Sequence, residues 1–241
     1  MTFTDGAAIR AAAAAQVIVD DLEGLSLADD DARHLFRVRR LHDGEEIIAT
    51  DGAGSWRRCN VDGVGLRPIG EVRVEPLPAH PLTVAFAPVK GDRGEWAVAK
   101  LTELGCDRIV ALETDHAAIR WSPAAATRVL ERWRRIARES CCQSRRVRLP
   151  SIDGPLPVSA FTERGCALGA PGGGPLSSGI TTVLIGPEGG WSAAERARGL
   201  PEIGLAGNVL RTETAAVSAG VLLEGLRAGT VGLVETAGGS R

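Results

Sequence analysis

Two segments late in the chain carry residues suited to chemistry. The first is Ile185-Gly186-Pro187-Glu188-Gly189-Gly190-Trp191 and the second is Leu210-Arg211-Thr212-Glu213-Thr214-Ala215. Each stands where an apolar run gives way to helix-favouring sequence, the place where α/β proteins bind ligands. In the first, one proline and three glycines set an irregular turn that lets a ligand approach the backbone. Ser192-Ala193-Ala194-Glu195 then has capping-box spacing, so a helix is expected from Ala193. A Gly-rich turn before a helix is a common phosphate cradle. Here Glu188 opposes a phosphate and the P-loop lysine is missing. A cationic or neutral ligand held by backbone groups fits better, and a tight turn without a ligand is the plain alternative. In the second segment Arg211 directly precedes a helix, with Thr212 as candidate N-cap and Glu213 in the first turn. Arg211 reads either as a stabiliser of developing negative charge or as a structural ion pair.

These segments need a scaffold. The 241 residues are 44% hydrophobic, enough for one large or two modest domains. Residues 16–75 read as short strands with close turns: Gln16–Val19, Glu45–Thr50 and Ser55–Val61, with Asp29–Arg40 as a short helix running into a basic strand. Pro68, Pro76, Pro78 and Pro81 then punctuate the chain, placing a boundary near residues 74–81, with domains 1–75 and 76–241. Beyond it strands and helices alternate, which predicts a parallel sheet covered by helices. Strands are expected at Leu82–Ala87, Arg108–Leu112, Cys166–Ala170, Thr181–Ile185 and Glu202–Ala206. Helices are expected at Arg93–Leu104, Ala124–Ser144 and Thr214–Arg227. Trp96, Val98, Leu101 and Leu104 are candidate core contacts, Gly105 a helix stop, and Pro171–Gly179 a flexible loop. Ala215, Ala216, Ala219 and Gly220 are small enough for another backbone to approach, in the core or across a subunit contact.

Charge is uneven. Residues 1–75 carry 9 Lys+Arg against 14 Asp+Glu, and residues 76–150 carry 13 against 8. Eight arginines between Arg128 and Arg148 face only Glu131 and Glu139. Such a stripe is an electrostatic footprint for nucleic acid or simply a solvated helix face. The five cysteines include no CxxC pair and no nearby histidine at zinc spacing, so buried thiols are expected, with no disulfide framework and no metal site. No apolar run is long enough to span a bilayer and Ala11–Ala15 makes a poor signal peptide. A cytoplasmic protein is expected.

Together these pieces resemble the SPOUT class of RNA methyltransferases, specifically the 16S ribosomal RNA (uracil-N3)-methyltransferase family. The resemblance runs over nearly the whole chain. It lies in His34-Leu35-Phe36-Arg37-Val38-Arg39-Arg40, Lys90-Gly91-Asp92-Arg93, Lys100-Leu101-Thr102-Glu103-Leu104-Gly105, Arg132-Trp133-Arg134-Arg135-Ile136 and the two late segments. It departs at the start of the chain and at Gly169-Ala170-Pro171-Gly172, where family members often carry an acidic residue.

The resemblance implies a small PUA-like β-barrel domain that binds RNA, followed by an α/β parallel-sheet domain with a C-terminal trefoil knot. It implies a homodimer, S-adenosylmethionine as methyl donor, and N3-methylation of a uridine in the decoding region of 16S rRNA of the small ribosomal subunit. Cofactor contacts carried over are Leu168, Gly169, Ile185, Gly186, Pro187, Glu188, Gly189, Gly190, Leu205, Gly207, Val209 and Leu210. Arg211 takes the catalytic role, with Glu213 as base or as the residue orienting Arg211. RNA contacts are expected from Arg37, Arg39, Arg40, Lys90, Arg93, Arg132, Arg135, Arg145 and Arg146. Ribose 2′-O-methylation and a non-catalytic RNA-binding assembly role are the alternatives.

Overall fold

The computed structural model describes residues 3–162 and 164–232. It comprises two compact units, Met1–Pro78 with Ala137–Leu149, and Ala79–Ile136 with Pro150–Arg241.

The first unit begins with α1 (Phe3–Ala12) and β1 (Ala15–Ile18), then α2 (Asp29–Arg33), β2 (Glu46–Thr50), β3 (Ser55–Asp62), β4 (Gly65–Pro68) and β5 (Arg73–Val74). The sheet order is β1-β2-β3-β4, with β5 also on β3. β1 and β2 are parallel and the remaining pairs antiparallel. Residues of β2 are buried on both faces. Ile47 and Ala49 pack with Val17, Leu35, Cys59 and Val61, while Ile48 packs with Trp56 and Val147. Successive strand side chains point to opposite faces, so both sides of β2 need cover. The basic strand expected before Arg40 does not form. His34–Val38 is instead wound as a π-helical turn. Leu35 and its neighbour Phe36 pack on the same core, which an extended strand does not allow.

Several arginines of the 128–148 stripe serve this unit. Arg138 donates to Ile18 O at 2.7 Å and to Asp31 at 3.0 Å. Arg145 donates to Ala13 O and Ala14 O at 2.9 and 3.1 Å, and Arg148 to Ala53 O and Glu75 O. These carbonyls flank β1, follow β2 or close the unit, so the arginines satisfy backbone groups that would otherwise be left bare.

The second unit contains β6 (Thr83–Phe86), α3 (Arg93–Glu103), β7 (Arg108–Glu113), the first part of α4 (Pro123–Ser144), β8 (Ser151–Pro157), β9 (Cys166–Gly174), β10 (Thr182–Ile185), α5 (Ala193–Arg196), β11 (Glu202–Ile203) and α6 (Thr212–Arg227). Its six-stranded sheet has the order β11-β9-β10-β6-β7-β8, and every pairing is parallel. Every residue of β6 is buried, as expected of a parallel strand covered on both faces. α6 lies against α3 so closely that a Cβ on Gly220 would come within 2.7 Å of Leu101 Cδ2. Ala216, Ala219 and Gly220 are buried within the chain, and Ala215 is half-buried.

Three expectations change in this unit. Trp96 is 48% exposed; Val98 and Leu101 are buried as expected, with Ala97 and Thr102 beside them, and Leu101 packs against Gly220 of α6. The expected flexible loop Pro171–Gly179 begins as strand, because β9 runs on to Gly174. β11 keeps only Glu202–Ile203. Its register jumps from Leu168 to Gly174 of β9, so residues 169–172 arch away from it, while Gly173 lies against the Ile203 backbone and Gly204 N–H closes the arch on Gly174 O at 2.8 Å.

Candidate active site

Both late segments converge on one cavity of about 290 Å³ at the carboxyl end of β10 and beside the middle of β9. Gly169, Ala170 and Pro171 come from the β9 arch, and Ile185, Gly186, Pro187, Glu188, Gly190 and Trp191 from the turn after β10. Leu205, Ala206, Asn208, Val209, Leu210, Arg211, Thr212 and Ala215 come from the approach to α6 and its first turns. The volume is near the lower end for small-molecule sites.

The β10 turn is held from three sides. Ser192 caps α5: its hydroxyl accepts from Glu195 N–H at 3.1 Å, and the Glu195 carboxylate accepts from Ser192 N–H at 2.7 Å. This is the capping box expected from the sequence, and α5 starts at Ala193 as expected. Glu195 also accepts from Asp115 N–H at 3.0 Å, while Ser192 donates to the Asp115 carboxylate. His116 Nδ1 lies 3.1 and 3.2 Å from the carbonyls of Gly189 and Gly190. Neither carbonyl can donate, so this nitrogen carries the proton. Trp191 is 7% exposed and its Nε1–H donates to Gly169 O at 3.0 Å, joining the β10 turn to the β9 arch.

Two glycines are required by this packing. A Cβ on Gly186 would meet three Trp191 ring atoms at 3.2–3.3 Å, and one on Gly169 would come within 2.8 Å of Ile185 Cδ1. Thr212 secures the other wall by donating to Gly186 O at 3.1 Å.

Of the residues expected to contact a cofactor, nine line the cavity: Gly169, Ile185, Gly186, Pro187, Glu188, Gly190, Leu205, Val209 and Leu210. Leu168 is fully buried in the sheet core. Gly189 backs onto His116, and a Cβ on it would meet His116 Cβ at 3.0 Å. Gly207 is not among the lining residues. Sequence reasoning did not place Trp191 or Thr212 at the cavity. Trp191 carried a signal, since an indole closing a Gly-rich turn has an N–H that needs a partner once buried.

Arg211 is the N-cap of α6, one position before the Thr212 expected there. Its side chain is exposed beside the cavity, and no hydrogen bond or ion pair engages it among the described residues. The structural ion pair considered for it is therefore not formed. Glu213 is 6% exposed and is held by Arg93 at 3.0 Å. Its second oxygen is buried without a partner among the described residues.

The expected RNA contacts divide. Arg37, Arg40, Lys90 and Arg135 are exposed. Arg93 is engaged with Glu213, Arg132 with Glu95 at 2.7 Å, and Arg39 with Ala14 O at 2.7 Å. Arg145 spends its guanidinium on the carbonyls of Cys142, Ala13 and Ala14. Burial, and then the neighbouring Arg39 charge, pull it below its ordinary pKa. Arg146 is half-buried, with its carbonyl accepting from Gln16 at 2.7 Å. The cysteines are free thiols. Cys59, Cys106, Cys141 and Cys166 are buried and Cys142 is partly so.

Comparison with known proteins places this geometry. The family described as RNA methyltransferase domain matches residues 75–224, and that described as RNA methyltransferase PUA domain matches residues 27–66. The ribosomal RNA small subunit methyltransferase E of Mycobacterium bovis is 32% identical over 215 residues, covering 79% of this chain and 82% of that protein. A probable rRNA-methyltransferase from Porphyromonas gingivalis shares the fold with a TM-score of 0.74 and 28% identity, over 90% of this chain and all of that one. A ribosomal RNA small subunit methyltransferase E from Neisseria gonorrhoeae, bound to S-adenosyl methionine, matches with a TM-score of 0.72 and 23% identity, over 88% of this chain and 97% of that one.

Proposed function

This chain belongs to the RNA methyltransferase family, and on that premise we propose that it methylates N3 of a uridine in the decoding region of 16S rRNA, with S-adenosylmethionine as donor. One observation carries the reading: the cavity gathers the Gly186–Trp191 turn and Arg211, with the arginine unpartnered among the described residues at its wall.

The cavity suits the donor. Ile185, Leu205, Leu210 and the Trp191 ring offer apolar surface, the Gly-rich backbone offers amides and carbonyls, and exposed Glu188 complements a cation. These residues, with Gly169, Pro187 and Val209, would hold it. When bound, S-adenosylmethionine supplies an electrophilic methyl group on a sulfonium.

The residues of the chain do the rest. Uracil N3–H is weakly acidic, and as its proton leaves, negative charge spreads to the flanking carbonyl oxygens. The Arg211 guanidinium stabilises that charge. Glu213 is buried against Arg93, so it anchors the start of α6, and with it Arg211, and the proton passes to water. Exposed Arg37, Arg40, Lys90 and Arg135 contact phosphates. The reading includes a cytoplasmic enzyme, where ribosomal RNA resides, and a homodimer. Among the described residues, no helix is long and apolar enough to cross a membrane.

The test is nucleoside mass spectrometry. Small ribosomal subunits from cells lacking the gene are incubated with the protein and S-adenosylmethionine. One 3-methyluridine per 16S rRNA is expected. A 2′-O-methylated nucleoside, or no product with protein that binds RNA, overturns the proposal. Light scattering at micromolar protein tests the dimer.

A further inference from the structure

A second cavity, of about 340 Å³, lies in the same unit and shares no lining residue with the first. Its walls are two indoles. Trp133, 2% exposed, stacks on Phe86 with ring centroids 5.1 Å apart. Half-buried Trp121 stands nearly perpendicular to Trp133, at 80° with centroids 5.8 Å apart. Because Trp133 is nearly covered, the open face of the corner is that of Trp121, on which a flat molecule can stack beside the Trp133 ring. Gly94 keeps the corner open, since a Cβ there would already touch the Trp133 ring at 3.4 Å.

The polar groups at this corner are also informative. Lys90 is exposed at the cavity, with no side-chain partner among the described residues. Glu95 lines it too, and is engaged by Arg132 at 2.7 Å. A carboxylate has several acceptor sites, so Glu95 retains capacity for an N–H donor. A cation for a phosphate, an acceptor for a base edge and an aromatic corner are the elements of single-stranded RNA recognition. The place agrees. Gly94 follows Arg93 in the chain, Arg93 pairs with Glu213, and Glu213 follows Thr212 of the first cavity. One ion pair therefore separates the two cavities.

We infer that the Trp121–Trp133 cavity holds an unpaired nucleobase of the RNA strand, other than the base being methylated, with Lys90 on its phosphate. The inference rests on the RNA-methylating reading. It gives the protein a second base-holding site that orders the strand at the reacting position.

The test uses fluorescein-labelled oligouridylate ten-mers and an abasic ten-mer of the same backbone, with binding followed by anisotropy. The wild-type protein should bind the base-bearing strand about tenfold more tightly than the abasic one. Trp121→Leu removes the stacking wall, and Gly94→Val fills the corner from the side of Trp133 and Val89 while keeping the Trp121 side chain. Each should erase most of that preference while leaving the abasic affinity and the affinity for S-adenosylmethionine within twofold. Lys90→Ala should weaken both strands alike. If Trp121→Leu destabilises the protein, Gly94→Val carries the comparison alone. A preference unchanged in the folded variants, or absent from the wild type, overturns the inference. Neither result bears on whether 16S rRNA is methylated, which the nucleoside assay decides separately.

Discussion

Gly186→Ala is the most direct probe of how the cofactor cavity is built. The added methyl meets Trp191 ring atoms at 3.2, 3.3 and 3.3 Å, a few tenths of an ångström inside comfortable contact. The ring has little room to retreat. It is 7% exposed, and its Nε1–H is committed to Gly169 O at 3.0 Å. Overpacking of this kind costs about 1–3 kcal/mol, and a lost hydrogen bond adds about 1 kcal/mol. For a protein of this size each kcal/mol lowers the melting temperature by about 2–4 °C, so a fall of about 4–16 °C is expected in calorimetry. The displaced ring also moves the cavity wall and the Gly169 arch, so isothermal titration should show S-adenosylmethionine binding weakened about tenfold or more. Two controls separate causes. Among the described residues nothing lies within 4 Å of a Cβ on Gly207, and its φ is not left-handed, so Gly207→Ala should keep the wild-type melting temperature or raise it slightly. Gly190 is equally open but has φ +68°, so Gly190→Ala should cost about 1–2 kcal/mol from backbone strain alone. If Gly186→Ala melts and binds cofactor like the wild type, the wall formed by Trp191 is not fixed as described.

Arg211→Ala should leave melting within about 0.5 kcal/mol of wild type, because the side chain is exposed and unpartnered among the described residues. It should lower the methylation kcat about 100–1000-fold with cofactor affinity nearly unchanged; normal turnover on ribosomal subunits would remove Arg211 from the chemistry. Arg93→Ala leaves the buried Glu213 carboxylate without its cation. Since Arg93 is about a third exposed, the expected loss by urea denaturation is about 1–3 kcal/mol, below that of a fully buried pair, and Glu213→Gln should recover part of it in the Arg93→Ala background. Burial raises the thiol pKa of Cys59 and Cys142 to about 11 and of Cys141 to about 12, from 9.0. The folded state thus holds these protons more tightly than the unfolded chain. Their contribution is complete below about pH 9 and is lost as pH rises from about 9 to 12. Denaturation midpoints at pH 8, 9.5 and 10.5 should fall in that order, and native thiols should alkylate slowly at pH 8. RNA affinity should fall steeply between 50 and 200 mM salt, and Arg37→Ala with Arg135→Ala should flatten that slope.

Local chemistry made much of this protein readable. The Ser192…Glu195 spacing announces α5, and the Pro-Gly turn after Thr181–Ile185 announces the end of a buried strand. Arg211 and the Gly186–Gly190 turn were visible as a pair because both interrupt apolar runs at helix starts. What stayed hidden depends on partners remote in sequence. Pro171–Gly174 has loop composition, yet Gly204 N–H closes on Gly174 O and makes it strand. Trp96 sits on the helical period of the core, but the neighbouring stripe of α3 was sufficient. Arg39, Arg93 and Arg145 looked like phosphate ligands. An arginine's type does not reveal whether carbonyls or carboxylates elsewhere will claim it first. The Trp121–Trp133 corner belongs to the same class, since only folding brings its elements together.

The first unit is not continuous in sequence, and this bears on how it is made. It uses Met1–Pro78 and then waits for Ala137–Leu149. Gln16 finds its acceptors at Cys141 and Arg146, 125 and 130 residues later, and Arg10, Arg145 and Arg148 fasten the same seam. On the ribosome the strands of this unit therefore emerge early but cannot close. At about 5–20 residues per second, several seconds of synthesis separate Pro78 from Leu149. During that interval the edge of β1 and the carbonyls of Ala13 and Ala53 lack their final partners, while β6, α3 and β7 are already leaving the tunnel. Order of birth and order of completion are reversed: the segment made first is among those finished late, and the nascent chain has to keep an incomplete sheet soluble until its last strap arrives.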